Sequence, residues 1–293
     1  MGPTRIVADP TILEPHESPD GLWHMFTSTD FRISHWKSED GIRWEHVRNY
    51  FWSSYTQWIY AEGGGYYLFY QKMRWPISGR IVVRISEDLE EWSKPIEILK
   101  GTLKWEKRRI GYSVRNPCLL KVGEEYWLYY SGGTVFLPKL GWSEPKHIGL
   151  AKSKKILGPY KKLEKPILSP DPNHKYRHLA CGGMRVYKFK DVKYFIGLEN
   201  GFYYDEAGKT RSAILLLASE DGIHWKDVMP LILPSKGWKR GLVFQLDVVR
   251  IDDKLWIYYN ARSGFRIGSE SIGLSFCDFN AIVEAVEKVI EEV

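Results

Sequence analysis

The sequence predicts an all-β protein, a five-bladed β-propeller followed by a short C-terminal helix. The main observation is a strand pattern that recurs five times. Its aromatic second strand reads Leu22-Trp23-His24-Met25-Phe26, Tyr66-Tyr67-Leu68-Phe69-Tyr70, Tyr126-Trp127-Leu128-Tyr129-Tyr130, Lys193-Tyr194-Phe195-Ile196-Gly197 and Leu255-Trp256-Ile257-Tyr258-Tyr259. Its third strand reads Phe31 to His35, Ile81 to Ser86, His147 to Ser153, Ala213 to Ser219 and Ser271 to Ser275. One such unit cannot bury its own apolar face, so neighbours must stack or close into a ring. For all-β units the closed solution is a propeller. The second observation is composition: 44% hydrophobic and 15% aromatic residues supply rings enough to fill the spaces between blades.

The blades follow in order. Blade one spans about Ile6 to Val47 and closes through Ser38-Glu39-Asp40-Gly41-Ile42-Arg43-Trp44, where Asp-Gly signals a tight turn. Blade two spans Thr56 to Leu99 and closes through Ser86-Glu87-Asp88-Leu89-Glu90-Glu91-Trp92. Blade three spans Ser113 to Leu168, blade four Cys181 to Leu233 with the turn Ser219 to Trp225, and blade five Phe244 to Cys277. From Asn280 the apolar residues recur at three and four, the spacing of an amphipathic helix packed on the propeller's side. The domain reading is therefore a propeller over 1–279 and a helix over 280–293.

Bulk properties narrow the function. The net charge of +6 is modest for 293 residues and no run of five or six basic residues occurs, which argues against nucleic acid as partner. Lys104, Lys107, Arg108 and Arg109 form the densest basic cluster, a solvated loop or a contact for an anionic group on a substrate. Cys118, Cys181 and Cys277 are odd in number and lack metal-ligand spacing, so reduced thiols and no metal or other cofactor are expected. No apolar stretch approaches the length of a membrane span. The first residues show no charged region followed by an apolar run, so the expectation is a cytoplasmic protein without membrane partners.

In a propeller the innermost strand of each blade lines the central channel, so the openings of these strands converge. Aligned, they read Ala8-Asp9-Pro10, Thr56-Gln57-Trp58, Arg115-Asn116-Pro117, Gly182-Gly183-Met184 and Phe244-Gln245-Leu246-Asp247. The set is polar where apolar residues would serve packing better. Long connections at 105–112, 169–179 and 234–242 fall on the same side of the disc, and loops of that length in a compact domain are often functional.

Ala8-Asp9-Pro10-Thr11-Ile12-Leu13 resembles the first-blade motif of five-bladed glycosidases, above all glycoside hydrolase family 43 and more loosely families 32, 68, 117 and 130. Val114-Arg115-Asn116-Pro117-Cys118-Leu119-Leu120 is similar to their third-blade Arg-Asp-Pro motif. The resemblance implies a first-blade aspartate acting as base or nucleophile, here Asp9, and a third-blade aspartate that tunes the acid. It also implies a glutamate from a later blade that protonates the leaving oxygen. This chain departs twice: Asn116 replaces the third-blade aspartate, and the fourth-blade opening at Cys181-Gly182-Gly183-Met184 has no glutamate. Glu199 and Asp247 are the candidate acids, with His178 behind them because family 117 uses a histidine.

Substrate contacts are expected from Trp58, Arg74, Arg115, Asn116, His178 and Gln245, with Arg177, Trp75, Trp105 and Trp238 as further candidates. Each has a plainer alternative. Asp9 can cap a turn before Pro10, Glu199 can pair with an arginine, Asp247 can hold the channel together, and any tryptophan can simply pack. The functional expectation is a glycoside hydrolase acting on a small glycoside or oligosaccharide, such as an arabinoside or a xyloside. The alternatives are a non-hydrolytic sugar-binding propeller and a phosphorylase or transferase of the family 130 type. In each case the expected partner is a small carbohydrate.

Overall fold

The computed structural model describes residues 6–74, 78–264 and 270–292. Trp75 and the side chain of Arg74 lie outside this description. Among the described residues the strands form five radial antiparallel sheets and one small hairpin. Blade one is β1 (Ala8–Leu13), β2 (Trp23–Thr29), β3 (Arg32–Ser38) and β4 (Glu45–Tyr50). Blade two is β5 (Ser54–Glu62), β6 (Gly65–Arg74), β7 (Ser78–Ser86) and β8 (Ile96–Lys100). Blade three takes β9 (Val114–Val122), β10 (Glu125–Gly132), β13 (His147–Ser153) and β14 (Lys161–Lys162). The hairpin β11 (Val135–Leu137) and β12 (Trp142–Glu144) is inserted between its second and third strands. Blade four is β15 (Ala180–Tyr187), β16 (Phe195–Tyr204), β17 (Thr210–Ser219) and β18 (Lys226–Ile232), and blade five is β19 (Leu242–Ile251), β20 (Lys254–Arg262) and β21 (Ser271–Asp278). Contacts of β1 with β5 and β19, of β9 with β5 and β15, and of β15 with β19 close the ring of innermost strands. The expected five blades are thus present. The outer strands of blades one and two carry mostly exposed residues, so no alternating pattern marks them in the sequence.

Aromatic rings fill the gaps between blades. Trp23 of blade one stacks on Trp256 of blade five at 6.1 Å, and Trp127 of blade three on Phe195 of blade four at 5.9 Å. Two loop tryptophans repeat one packing device. Trp105 stacks on Tyr130 at 5.7 Å and Trp238 on Tyr259 at 5.3 Å. Each occupies the space left by a glycine in the third strand, Gly149 and Gly273, where a Cβ would collide with the indole. Both rings are therefore packing elements of their blades.

The acidic turns also repeat. In blades one, two and four a serine (Ser38, Ser86, Ser219) accepts the N–H three residues on, at 2.9 Å in each case. An aspartate (Asp40, Asp88, Asp221) accepts the two N–H groups two and three residues on, at 2.8 Å. These backbone bonds favour ionised carboxylates and hold all three groups below the usual range.

After blade five comes α1 (Phe279–Glu291), capped by Asp278, whose carboxylate accepts from Ala281 N at 2.9 Å. Its buried residues Phe279, Ile282, Val286 and Ile290 keep helical spacing and face β17, β18 and β21. Burying four such side chains contributes roughly 6–12 kcal/mol before ordering costs. Among the described residues no helix is long and apolar enough to cross a membrane.

Candidate active site at the channel mouth

Every innermost strand carries a bulge at its opening. The register with its neighbour breaks between Ala8 and Thr11, Tyr55 and Trp58, Arg115 and Cys118, Cys181 and Met184, and Val243 and Leu246. Asp9, Thr56, Asn116, Gly182 and Phe244 are therefore structurally equivalent. This shifts the sequence alignment by one residue in blades two, four and five. Asp9, Thr56 and Asn116 adopt positive φ, at 54°, 48° and 53°. Aspartate and asparagine tolerate this region, whereas a β-branched threonine is strained there.

Hydrogen bonds at these bulges link the blades in a closed circle. Asp9 N donates to Asn260 Oδ1 of blade five at 3.1 Å, and Gln57 of blade two donates to the Asp9 carbonyl. Asn116 N donates to Thr56 Oγ1 at 3.2 Å, and Asn116 Nδ2 to the Gly182 carbonyl at 2.7 Å. Asn200 Nδ2 of blade four completes the circle on Val243 O of blade five at 2.9 Å.

Above this circle opens a pit of about 400 Å³, within the range of small-molecule sites. Its charged lining is Asp9, Arg108, Arg115, Glu144, Arg262 and Glu270, with the amides of Gln71, Asn116, Asn200, Gln245 and Asn260 between them. Asp9, Arg115, Asn116 and Gln245 are thus brought together. Burial pushes the Asp9 carboxyl up, opposed by the Ser28 hydroxyl and by the charges of Arg185 and Arg115. Glu144 stands on the inserted hairpin, where Trp142 Nε1 donates to its Oε1 at 2.6 Å. Burial raises its pKa as well; Arg115 opposes the rise and Asp9 adds to it. The charge of Arg115 thus acts on both carboxyls, and that of Asp9 acts on Glu144. Arg262 pairs with Glu270, which also accepts from Asn260 Nδ2 at 2.7 Å.

The remaining candidates lie elsewhere. Glu199 is fully buried beside the loop at 169–179, with Oε2 at 2.8 Å from Arg177 Nη1. Arg177 also holds Asp227 at 2.8 Å, and burial lifts Glu199 to about 7. Glu199 is thus an ion-pair partner and does not line the pit. Asp247 sits three residues deeper than its bulge and has both oxygens occupied. It accepts from Ile12 N, Tyr187 Oη and Val248 N, each at 2.8 Å. Beside it, Arg185 spans the channel, donating to the carbonyls of Leu246, Pro117 and Gln57. Burial pushes the Asp247 carboxyl up, and the charge of Arg185 opposes the rise. Trp58 is core, its indole N–H on Leu119 O at 3.2 Å and its face against Arg185. His178 lines a separate side pocket, accepting from Tyr204 N at 2.9 Å.

Glu144 was missed by sequence reasoning, which looked for an acid on the innermost strands and on blade four. The available signal was length: blade three carries an extra stretch, 133–146, between its second and third strands. Side chains also crowd the fourth-blade opening. A Cβ on Gly182 would lie 2.7 Å from Asn200 Oδ1 and from the Phe202 ring, and one on Gly183 would overlap Gln245. Away from the pit, Glu14, His16 and Glu17 place one donor atom each within 4.8 Å of one another, the one such grouping among the described residues.

No protein-family model matches the chain, and a sequence search of curated proteins finds no match. Solved structures do match. An N-acetylgalactosamine deacetylase from F. plautii, in complex with blood group B trisaccharide, superposes with a TM-score of 0.69 at 14% identity, covering 96% of this chain and 91% of that one. An exo-1,5-α-L-arabinanase from a bovine ruminal metagenomic library superposes with 0.66 at 13% identity, covering 94% and 95%. The catalytic domain of a Coprinopsis cinerea GH62 α-L-arabinofuranosidase gives 0.66 at 14% identity, covering 94% and 92%. At such identities the likeness establishes the shared five-bladed fold.

Proposed function

We propose that the chain is a glycoside hydrolase whose carboxyl pair is Asp9 and Glu144. The observation that carries this reading is the presence of both raised carboxyls in one pit of sugar-accommodating size. Similarity of fold to arabinan- and arabinofuranoside-cleaving enzymes supports it. Glycoside cleavage needs one ionised carboxylate near the anomeric carbon and one protonated carboxyl near the leaving oxygen. Asp9, on an innermost strand, suits the first role. Glu144, on a hairpin outside the blade proper, suits the second, because the leaving group exits toward solvent. Asp9 then either draws a proton from water or attacks carbon directly; the carboxyl separation in the complex decides which. The surrounding amides and Arg115 would bind hydroxyl groups.

The test is turnover of a panel of aryl glycosides, arabinofuranosides and xylosides included, by wild type and by Asp9→Asn and Glu144→Gln. The reading expects turnover that both variants reduce by a factor of roughly 10² or more. Undiminished turnover in either variant would remove that residue from the mechanism. A second reading, sugar binding without hydrolysis, is favoured by the crowded, acid-free opening at Gly182 and by the Asn116 amide. Sugar binding with no turnover across the panel would select it.

A further inference from the structure

We infer that Trp142 is the positioning residue of Glu144: its indole N–H holds one carboxyl oxygen and leaves the other to carry the proton. The inference rests on the reading of Glu144 as the acid and names the side chain that prepares it for that role. Trp142 and Glu144 are two residues apart on β12, so their side chains leave the strand on the same face. Trp142 Nε1 lies 2.6 Å from Glu144 Oε1. An indole N–H can only donate, so Oε1 keeps a lone pair toward it whether the carboxyl is neutral or ionised. The neutral carboxyl then carries its hydrogen on Oε2, and Oε2 is the atom that gives the proton to a leaving oxygen.

The indole is itself fixed. Trp142 pairs with Leu137 across the hairpin and packs on an apolar cluster that joins Leu137 and Leu140 to Phe202 of blade four and Phe244 of blade five. The Arg262 guanidinium lies over the Trp142 ring at 4.8 Å and over the Phe244 ring at 5.0 Å. Turning the indole would break both the cluster and this stack. Three charged groups act on Glu144: Arg115 and Arg262 favour its ionised form and Asp9 opposes it. The indole bond also favours the ionised form, so it strengthens as the proton departs. A donor of this kind lowers the barrier to proton transfer more than it tightens the hold on the sugar.

Solution NMR on the full chain, with labelled indole nitrogens and glutamate carboxyls and no sugar present, tests this. The Trp142 indole resonance should move with pH in step with the Glu144 carboxyl. The step should persist in Asp9→Asn and disappear in Glu144→Gln. Trp142→Phe, which keeps a ring against Arg262 but has no N–H, should move the Glu144 midpoint to higher pH. In aryl glycoside turnover the same variant should lower kcat roughly 10-fold, leave KM within about twofold, and carry the alkaline limb of kcat/KM upward. An indole resonance indifferent to Glu144, or a Glu144 midpoint unmoved in Trp142→Phe, would overturn the inference whatever the activity. The indole readout needs no change at position 142, so it decides the matter even where Trp142→Phe folds poorly. Coupled titration with no turnover by wild type counts against hydrolysis alone. Turnover without the coupling counts against Trp142 alone.

Discussion

Asn116 Nδ2 lies 2.7 Å from the carbonyl oxygen of Gly182 and 3.0 Å from Ser131 Oγ, so an amide donor ties blade three to blade four at the wall of the pit. The Ser131 hydroxyl itself donates to the same carbonyl at 2.9 Å. A carboxylate at position 116 would face that carbonyl with no proton to offer. The Asn116 amide and the side-chain-free Gly182 thus form one local arrangement.

Asn116→Asp should accordingly destabilise the protein by about 1–3 kcal/mol at neutral pH. The new carboxyl would need a proton to bond Gly182 O, so its folded pKa would be raised. A raised carboxyl stabilises at low pH and loses that contribution as pH climbs from about 4 through the folded value. Urea unfolding at pH 5 and pH 8 should show a larger deficit at pH 8; an equal deficit would refute the account.

Placing an acid at the blade-four opening should fail. Gly182→Glu must place a Cβ 2.7 Å from Asn200 Oδ1 and the Phe202 ring. We expect a lowered melting temperature and no gain in glycosidase activity. A stable, more active Gly182→Glu protein would show that the innermost strand can shift to accept a side chain.

The pH profile of any glycosidase activity should lie above the ordinary carboxylate range at both ends. Asp9 must be ionised and Glu144 protonated, and burial raises both. The acid limb of kcat/KM then reports Asp9 and the alkaline limb Glu144. In the residual activity of Glu144→Gln the alkaline limb should vanish; its persistence would assign that limb to another group.

A buried histidine pair sets a separate pH dependence. His24 Nε2 donates to Asp20 at 2.8 Å, which leaves His24 Nδ1 to accept from His35 Nε2 at 2.8 Å. His35 Nδ1 is buried without a partner, and burial holds His35 at about 3. A histidine depressed in the folded state contributes full stability above about 6.5 and loses it as pH falls toward the folded value. His35→Phe removes that loss. Its stability deficit relative to wild type should therefore narrow by up to about 1.4 kcal/mol per pH unit below 6.5. Urea midpoints at pH 7.5 and 5 measure this, and a constant gap would exclude His35 as the source.

The sequence made the blades legible through their second and third strands, where buried and aromatic residues recur in runs such as Tyr126 to Tyr130. Outer strands such as Glu45–Tyr50 stayed hidden because nearly all their residues face solvent. Asp9, Arg115, Asn116 and Gln245 could be named because innermost strands must converge on an axis. Glu199 illustrates the opposite case. Its strand, β16, brings a carboxylate near the right blade, yet Arg177, from a loop at 169–179, claims it.

Alternation of apolar residues and the chemistry of turns such as Ser38 to Trp44 are local, and local patterns sufficed for five sheets closed in a ring. They also placed Asp9 at the channel, because a strand's position in its blade dictates which end meets the axis. Which carboxyls share the pit with Asp9 was settled by tertiary packing. Glu144 reaches the pit on an inserted hairpin outside the repeat, while the side chains around Gly182 and Gly183 occupy the space that an acid on blade four would need.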